Sequence, residues 1–275
     1  MARRPPAPRR GPRIDGGERG GRHRREDERG LGGQQVEGRQ AVAELLAAGR
    51  RRVLDVCMAE GLDPAPILDD ILSRAERLRV PVRRMARGRL DAMARTDAPQ
   101  GVLAHAQPLP EADLDELCAP ARGVPFLLAL DSVTDPQNLG ALLRTAEAAG
   151  VTGVLLPRHR AVRVTPAVAK AAAGAIEYVP MAVVGGLPAA LLRAKELGVW
   201  VLGLAADGGE NLFELSMGDG PILAVLGAEG AGLSRLAAAR CDVLATIPLR
   251  GRLASLNVSA AGAVALFELA RQRDR

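Results

Sequence analysis

The sequence is short of several residue types, and each shortage removes a class of function. Aromatics make up 2% of 275 residues, namely Phe126, Tyr178, Trp200, Phe213 and Phe267. That argues against a module that grips single strands by stacking bases on several rings. Cys57, Cys118 and Cys241 are scattered, odd in number and without a CxxC pair. A disulfide framework or a zinc site is disfavoured, and a reducing cytosol fits. His23, His105 and His159 stand apart, and Ser255 sits in no G-x-S-x-G elbow, so neither a metal centre nor a Ser-His-Asp hydrolase has support. No run reaches the roughly 18 apolar residues of a membrane span, and the Arg- and Pro-rich start has no apolar signal-peptide core. A cytoplasmic protein with no membrane or metal partner is expected. Walker A is absent too, which removes the P-loop reading.

Arginine, by contrast, is plentiful, and Lys170 and Lys195 are the only lysines. The first 30 residues hold ten Arg against five Asp or Glu, a net +5 equal to the formal charge of the whole chain. With Pro, Gly and almost nothing apolar, residues 1–33 read as a disordered basic tail. Such an arm offers sequence-independent attraction for phosphates, or is a solvated extension without a specific role. The rest balances to zero, and an apolar content of 48% is ample for a globular core.

After the tail, Val42, Leu45 and Leu46 fall at helical spacing up to Gly49, which reads as the stop. Arg52–Met58 reads as a strand and Ala65–Leu78 as a helix with Ile67, Ile71 and Leu78 inward. Val80–Arg83 and Gln100–Ala104 read as further strands, so residues 34–105 form a small α/β domain. Its helical faces and loops carry Arg39, Arg50, Arg51, Arg83, Arg84, Arg87 and Arg89, of which 83–89 is a patch able to meet phosphates or simply a solvated face. Residues 106–123, with prolines and four acids, read as a linker with one helical turn. Residues 124–275 then alternate continuous apolar strands with helices: a mainly parallel sheet covered on both faces.

Three stretches in that second part could carry chemistry. Asp131-Ser-Val-Thr-Asp-Pro-Gln-Asn-Leu-Gly-Ala-Leu-Leu-Arg-Thr follows a strand and opens a helix, where open α/β sheets bind ligands. Asp135 before Pro136 suits an N-cap, as does Asn138, and Arg144 falls off the apolar stripe of Leu139, Leu142, Leu143 and Ala146. Leu226-Gly-Ala-Glu-Gly-Ala-Gly-Leu sets three glycines round one carboxylate, a loop whose backbone can approach a ligand closely. Its G-x-x-G-x-G spacing is not the dinucleotide fingerprint. Ile247-Pro-Leu-Arg-Gly-Arg-Leu-Ala-Ser-Leu-Asn-Val-Ser places Ser255, Asn257 and Ser259 at alternate positions before a helix of small residues.

In this order the three stretches closely resemble the motifs of the SpoU/TrmH class of SPOUT RNA 2′-O-methyltransferases. The Glu-Gly-Arg-Gln-Ala-Val-Ala-Glu-Leu-Leu opening resembles the ribosomal-protein-like domain of that family's 23S rRNA guanosine methyltransferases. The resemblance covers roughly residues 36–270. It implies an RNA substrate-binding domain over 34–105 and a knotted methyltransferase domain over 124–275, with a C-terminal trefoil knot. It also implies a homodimer, S-adenosyl-L-methionine as cofactor and RNA, 23S rRNA above all, as partner. By resemblance Arg144 contacts a substrate phosphate and assists deprotonation, Asn138 orients, and Glu229, Ser255 and Asn257 complete the polar set. Main-chain groups around Gly227, Ile247 and Leu256 hold the cofactor. A tRNA or resistance-type rRNA 2′-O-methyltransferase, or an RNA-binding protein with an inactive fold of this kind, are the competing readings. Leu249, Gln137 and Ala172 depart from the residues frequent in the family, all outside the reacting set.

Overall fold

The computed structural model describes residues 30–121, 123–159, 161–217, 220–252 and 254–273, so all but the end of the basic tail lies outside the described residues. Residues from Leu31 onward form one compact unit built on two sheets.

The first sheet begins with β1 (Gln35–Glu37), followed by α1 (Arg39–Ala48), β2 (Val53–Ala59), α2 (Pro66–Arg77), β3 (Val82–Met85), α3 (Arg87–Met93) and β4 (Val102–Ala106). The strand order is β1-β4-β2-β3, with β4 antiparallel to both neighbours and β2 parallel to β3. Gly49 ends α1 in the left-handed conformation (φ 58°), as expected of a glycine stop. Leu78 was expected inward and is exposed, whereas Ile71 is buried as expected, with Leu68 and Ala75 beside it. Those three share the i, i+3, i+7 spacing of one helix face. Strand β1 and helix α3 were not expected.

After α4 (Leu114–Cys118) come β5 (Phe126–Leu130), α5 (Pro136–Ala148), β6 (Gly153–Pro157), α6 (Pro166–Ala171), a 3-10 turn (Ala175–Glu177), β7 (Met181–Val184), α7 (Leu187–Glu196), β8 (Trp200–Leu204), β9 (Glu210–Asn211), β10 (Ile222–Leu226), α8 (Arg235–Ala238), β11 (Val243–Thr246) and α9 (Val258–Arg273). The order is β7-β6-β5-β10-β8-β11-β9, and each pairing is parallel.

Both faces of this sheet are covered. Phe126, Leu128 and Leu130 of β5 enter one apolar cluster, and Leu127 and Ala129 the other. The side-chain alternation of a strand sends neighbours to opposite faces, so burial on both explains the unbroken apolar runs. Gly262 gives α9 its closest approach: a Cβ there would meet Leu142 Cδ2 at 2.4 Å and Leu226 Cδ1 at 2.8 Å.

The arginines do not all face solvent. Arg51 is buried, its side chain paired with Glu177 of the 3-10 turn at 2.5 Å, and Arg50 donates to the carbonyls of Glu177 and Tyr178. Both belong to the junction between the sheets. Arg83, Arg84, Arg87 and Arg89 are exposed around β3 and α3.

Candidate active site

Strands β5, β10, β8 and β11 run in parallel, so their C-terminal ends open on one rim of the sheet, where ligands of open α/β sheets bind. Asp135 caps α5, its Oδ1 accepting the Gln137 amide at 3.1 Å; Asn138 does not cap, and its side chain is left for the rim.

The loop after β10 folds back on itself. Ala228 and Gly232 exchange main-chain hydrogen bonds at 3.0 and 2.8 Å, and a Cβ on Gly227 would lie 2.0 Å from the Gly232 carbonyl carbon. Only glycine permits that closure, and it leaves Glu229 at the tip. Behind the loop, buried Asp131 at the end of β5 accepts the Ser234 amide at 2.7 Å. Asp131 was not singled out from sequence as a site residue; an acid closing an apolar strand was its only signal.

Three side chains from the three stretches meet at Glu229. The Asn138 amide donates to Glu229 Oε2 at 3.0 Å, and that of Asn257 donates to Asn138 Oδ1 at 3.1 Å and to Glu229 Oε1 at 3.4 Å. Asn257 Oδ1 turns the other way and accepts from Ser259 N at 2.9 Å and Ser259 Oγ at 2.6 Å, capping α9. The alternation of Asn257 and Ser259 is therefore a cap. Asn138 is buried at 7% exposure, so the carboxylate it holds is fixed from below.

Beside this cluster lies an open cleft walled by Leu204, Leu226, Ile247, Leu256 and Val258 and floored by the Gly227–Gly232 loop. Apolar walls with main-chain polar groups and few charges suit a nucleoside-sized ligand. Among the described lining residues Glu229 is the only ionisable one. One negative charge in a largely apolar cleft attracts a cationic ligand, so the donor set suits the sulfonium and adenosine of S-adenosylmethionine. Gly227, Ile247, Leu256 and Ser255 all line this cleft. The end of β8, Leu204 to Ala206, lines it too, which sequence reading missed; its position after an apolar strand was the available signal.

Arg144 stands apart. It is exposed on α5, six residues beyond Asn138 and so about 9 Å further along the helix. Its guanidinium makes no hydrogen bond or ion pair with the described residues, Glu229 included.

Outside the rim, Asp55, Cys57 and His105 lie with ligand atoms within 4.8 Å of one another. Asp55 is already bonded to His105 Nδ1 at 2.7 Å and lies 3.5 Å from Arg83, a cation that opposes a metal. Burial pushes the thiols of Cys118 and Cys241 up to about 11, so neither is a thiolate at neutral pH.

Residues 125–267 match the SpoU rRNA Methylase family. The chain belongs to that family. In this SpoU methylase, residues 35–112 also match a family described as RNA 2′-O ribose methyltransferase substrate binding. The 23S rRNA (guanosine-2′-O-)-methyltransferase RlmB of Pseudomonas aeruginosa is 42% identical over 243 residues, covering 87% of this chain and 97% of that protein. Among solved structures, the AdoMet-bound rRNA methyltransferase from Sinorhizobium meliloti has a TM-score of 0.73 at 25% identity, covering 91% of this chain and 90% of its own. The SpoU methyltransferase AviRb from Streptomyces viridochromogenes gives 0.72 at 25% identity, covering 87% and 89%. The parallel α/β sheet of the SpoU methylase is thus shared with these two methyltransferases. No helix among the described residues is long and apolar enough to cross a membrane.

Proposed function

We propose that this SpoU methylase transfers a methyl group from S-adenosylmethionine to the ribose 2′-hydroxyl of a guanosine in 23S rRNA, in the cytoplasm. The observation that carries the reading is the bonded set Asn138, Glu229 and Asn257 at the mouth of an apolar cleft. Similarity to an enzyme named for 23S rRNA guanosine, over nearly its full length, favours that substrate over tRNA.

Bound S-adenosylmethionine supplies an electrophilic methyl on a sulfonium. The chain must hold the acceptor in line and remove its proton, because a ribose hydroxyl is a poor nucleophile. The main chain around Gly227, Ile247 and Leu256 would hold the cofactor, and Glu229 would supply the one negative charge in the same cleft. Asn138 and Asn257 fix that carboxylate, and Ser255 on the rim meets the incoming ribose. Arg144 holds the phosphate of the target nucleotide and lowers the cost of losing the hydroxyl proton, which is released to water; guanidinium is better suited to that than to acting as base.

Arg144 reaches the site from a second copy, which makes the enzyme a homodimer. Supporting this, α9 turns Ala260, Val264 and Phe267 outward at helical spacing, with Phe267 50% exposed, an apolar stripe that a second copy would cover. The late return of β10 between β5 and β8, with α9 packed on α5, is compatible with the trefoil knot. Residues 34–105 hold the RNA, and the tail adds phosphate attraction.

Calorimetry with S-adenosylmethionine, followed by mapping of 2′-O-methyl groups in 23S rRNA incubated with the protein, tests the proposal. One methylated guanosine is expected. Absence of cofactor binding would overturn it in favour of an RNA-binding protein with an inactive fold.

A further inference from the structure

The segment 106–123 reads as a linker, yet the passage between the sheets is bonded along its length. On the way into the first sheet, Gly33 N donates to Val164 O at 2.8 Å and Val164 N to Leu31 O at 3.0 Å. On the way out, Leu109 N donates to Gly32 O at 3.0 Å and Ala112 N to Met181 O at 2.8 Å. Between the two crossings sits Arg51. Its Nε and Nη2 hold both oxygens of Glu177, at 2.9 and 2.5 Å, and its Nη1 donates to Gly33 O and Gln107 O, each at 2.6 Å. One guanidinium therefore ties the entering strand, the leaving strand and the 3-10 turn of the larger sheet.

The pair is dry, with side-chain exposures of 3% and 1%. A buried ion pair is retained only if its desolvation is offset by close geometry and further hydrogen bonds, and here every guanidinium nitrogen has an acceptor. At the rim, Arg50 Nη1 donates to Glu177 O and Tyr178 O at 3.1 and 2.7 Å, and Tyr178 Oη donates to Glu44 of α1 at 2.7 Å. Burial, with the Glu44 hydrogen bond, pushes the Tyr178 phenol up to about 12, so the phenol stays protonated and able to donate at neutral pH.

We infer that Arg51 and Glu177, together with Arg50 and Tyr178 at the edge of the same junction, are positioning residues that set which nucleotide is methylated. Resting on the methyltransferase reading, the first sheet holds RNA and the Glu229 cleft modifies it. A junction locked by a buried pair fixes the span between those two surfaces, so the enzyme measures along its RNA rather than searching with a mobile module. Specificity then resides partly in residues that touch neither RNA nor cofactor.

The test uses the full chain and two variants. Glu177→Gln keeps the shape of the junction and removes its charge. Arg50→Ala with Tyr178→Phe loosens the rim and leaves the buried pair intact. Each is assayed for cofactor affinity, for kcat/KM on 23S rRNA and for the 2′-O-methyl map at nucleotide resolution. Cofactor affinity should hold within about twofold, while kcat/KM at the native nucleotide falls by about 10²-fold, as a small misplacement far from the chemistry can produce. Methylation should also appear at neighbouring nucleotides, which simple loss of stability would not cause. If Glu177→Gln loses cofactor affinity through unfolding, the rim variant decides. An unchanged map and kcat/KM in a variant with normal cofactor affinity overturn the inference alone. A wild-type chain that methylates no RNA overturns it together with the methyltransferase reading.

Discussion

Asn257 divides its amide between two tasks, and substitution can separate them. Its oxygen caps α9 and its nitrogen reaches Glu229 and Asn138. Asp caps as well as Asn, so Asn257→Asp should leave the melting temperature nearly unchanged. It should still cut turnover by about 10²-fold, because the positioning amide becomes a carboxylate facing Glu229. Asn257→Ala should lose both, with about 1 kcal/mol of stability gone. Wild-type turnover in the Asp variant would remove Asn257 from the site. Arg144→Ala is the complementary case. An exposed side chain without a partner among the described residues carries little of the fold, so melting and cofactor affinity should stay while methyl transfer is abolished. Retained activity would remove Arg144 from the mechanism.

Among the elements, what the sequence displayed plainly was apolar. The strands β5, β6, β8 and β10, with their buried faces, announce themselves as unbroken runs, and the helices α1 and α5 by spacing. Strand β1 did not, because Gln35 and Glu37 are polar residues that bury. Glu37 is satisfied by the Arg95 and Thr96 amides, the Thr96 hydroxyl and Gln35, partners a linear reading cannot supply. Arg51 was hidden likewise, reading as one more surface charge while its carboxylate lay 126 residues away. The site was legible where each motif carries its own geometry, as in the Gly227–Gly232 loop. Arg144 was expected by resemblance, and it lies exposed on α5 without a bond to Glu229. The glycine of α9 is explained by contact with Leu142 and Leu226. Gly262→Val should therefore destabilise the fold by about 1–3 kcal/mol through overpacking, although valine is the better helix former. Chemical denaturation would show it, and a more stable variant would mean that α9 sits farther from α5.

For the whole molecule, the charge imbalance resides in residues that precede the two sheets. If the tail supplies phosphate attraction, removing residues 1–30 should weaken RNA binding and flatten the dependence of affinity on salt. Cofactor affinity should not change. An identical salt slope would leave the tail without a role in RNA contact. Sedimentation at micromolar concentration should give a dimer, and a polar residue in place of Phe267 should shift it toward monomer.

The strand order β7-β6-β5-β10-β8 has a consequence for how the chain is made. Synthesis delivers β5 and β8 well before Ile222–Leu226, the strand that joins them. Until the ribosome has passed residue 226, the middle of the sheet is a gap bordered by two unpaired apolar edges. Unpaired edges of this kind recruit other chains. The interval before β10 arrives is thus one in which the nascent chain is open to association. A nascent chain stalled there would be a substrate for chaperones, whereas one extended past β11 holds all the strands of this sheet.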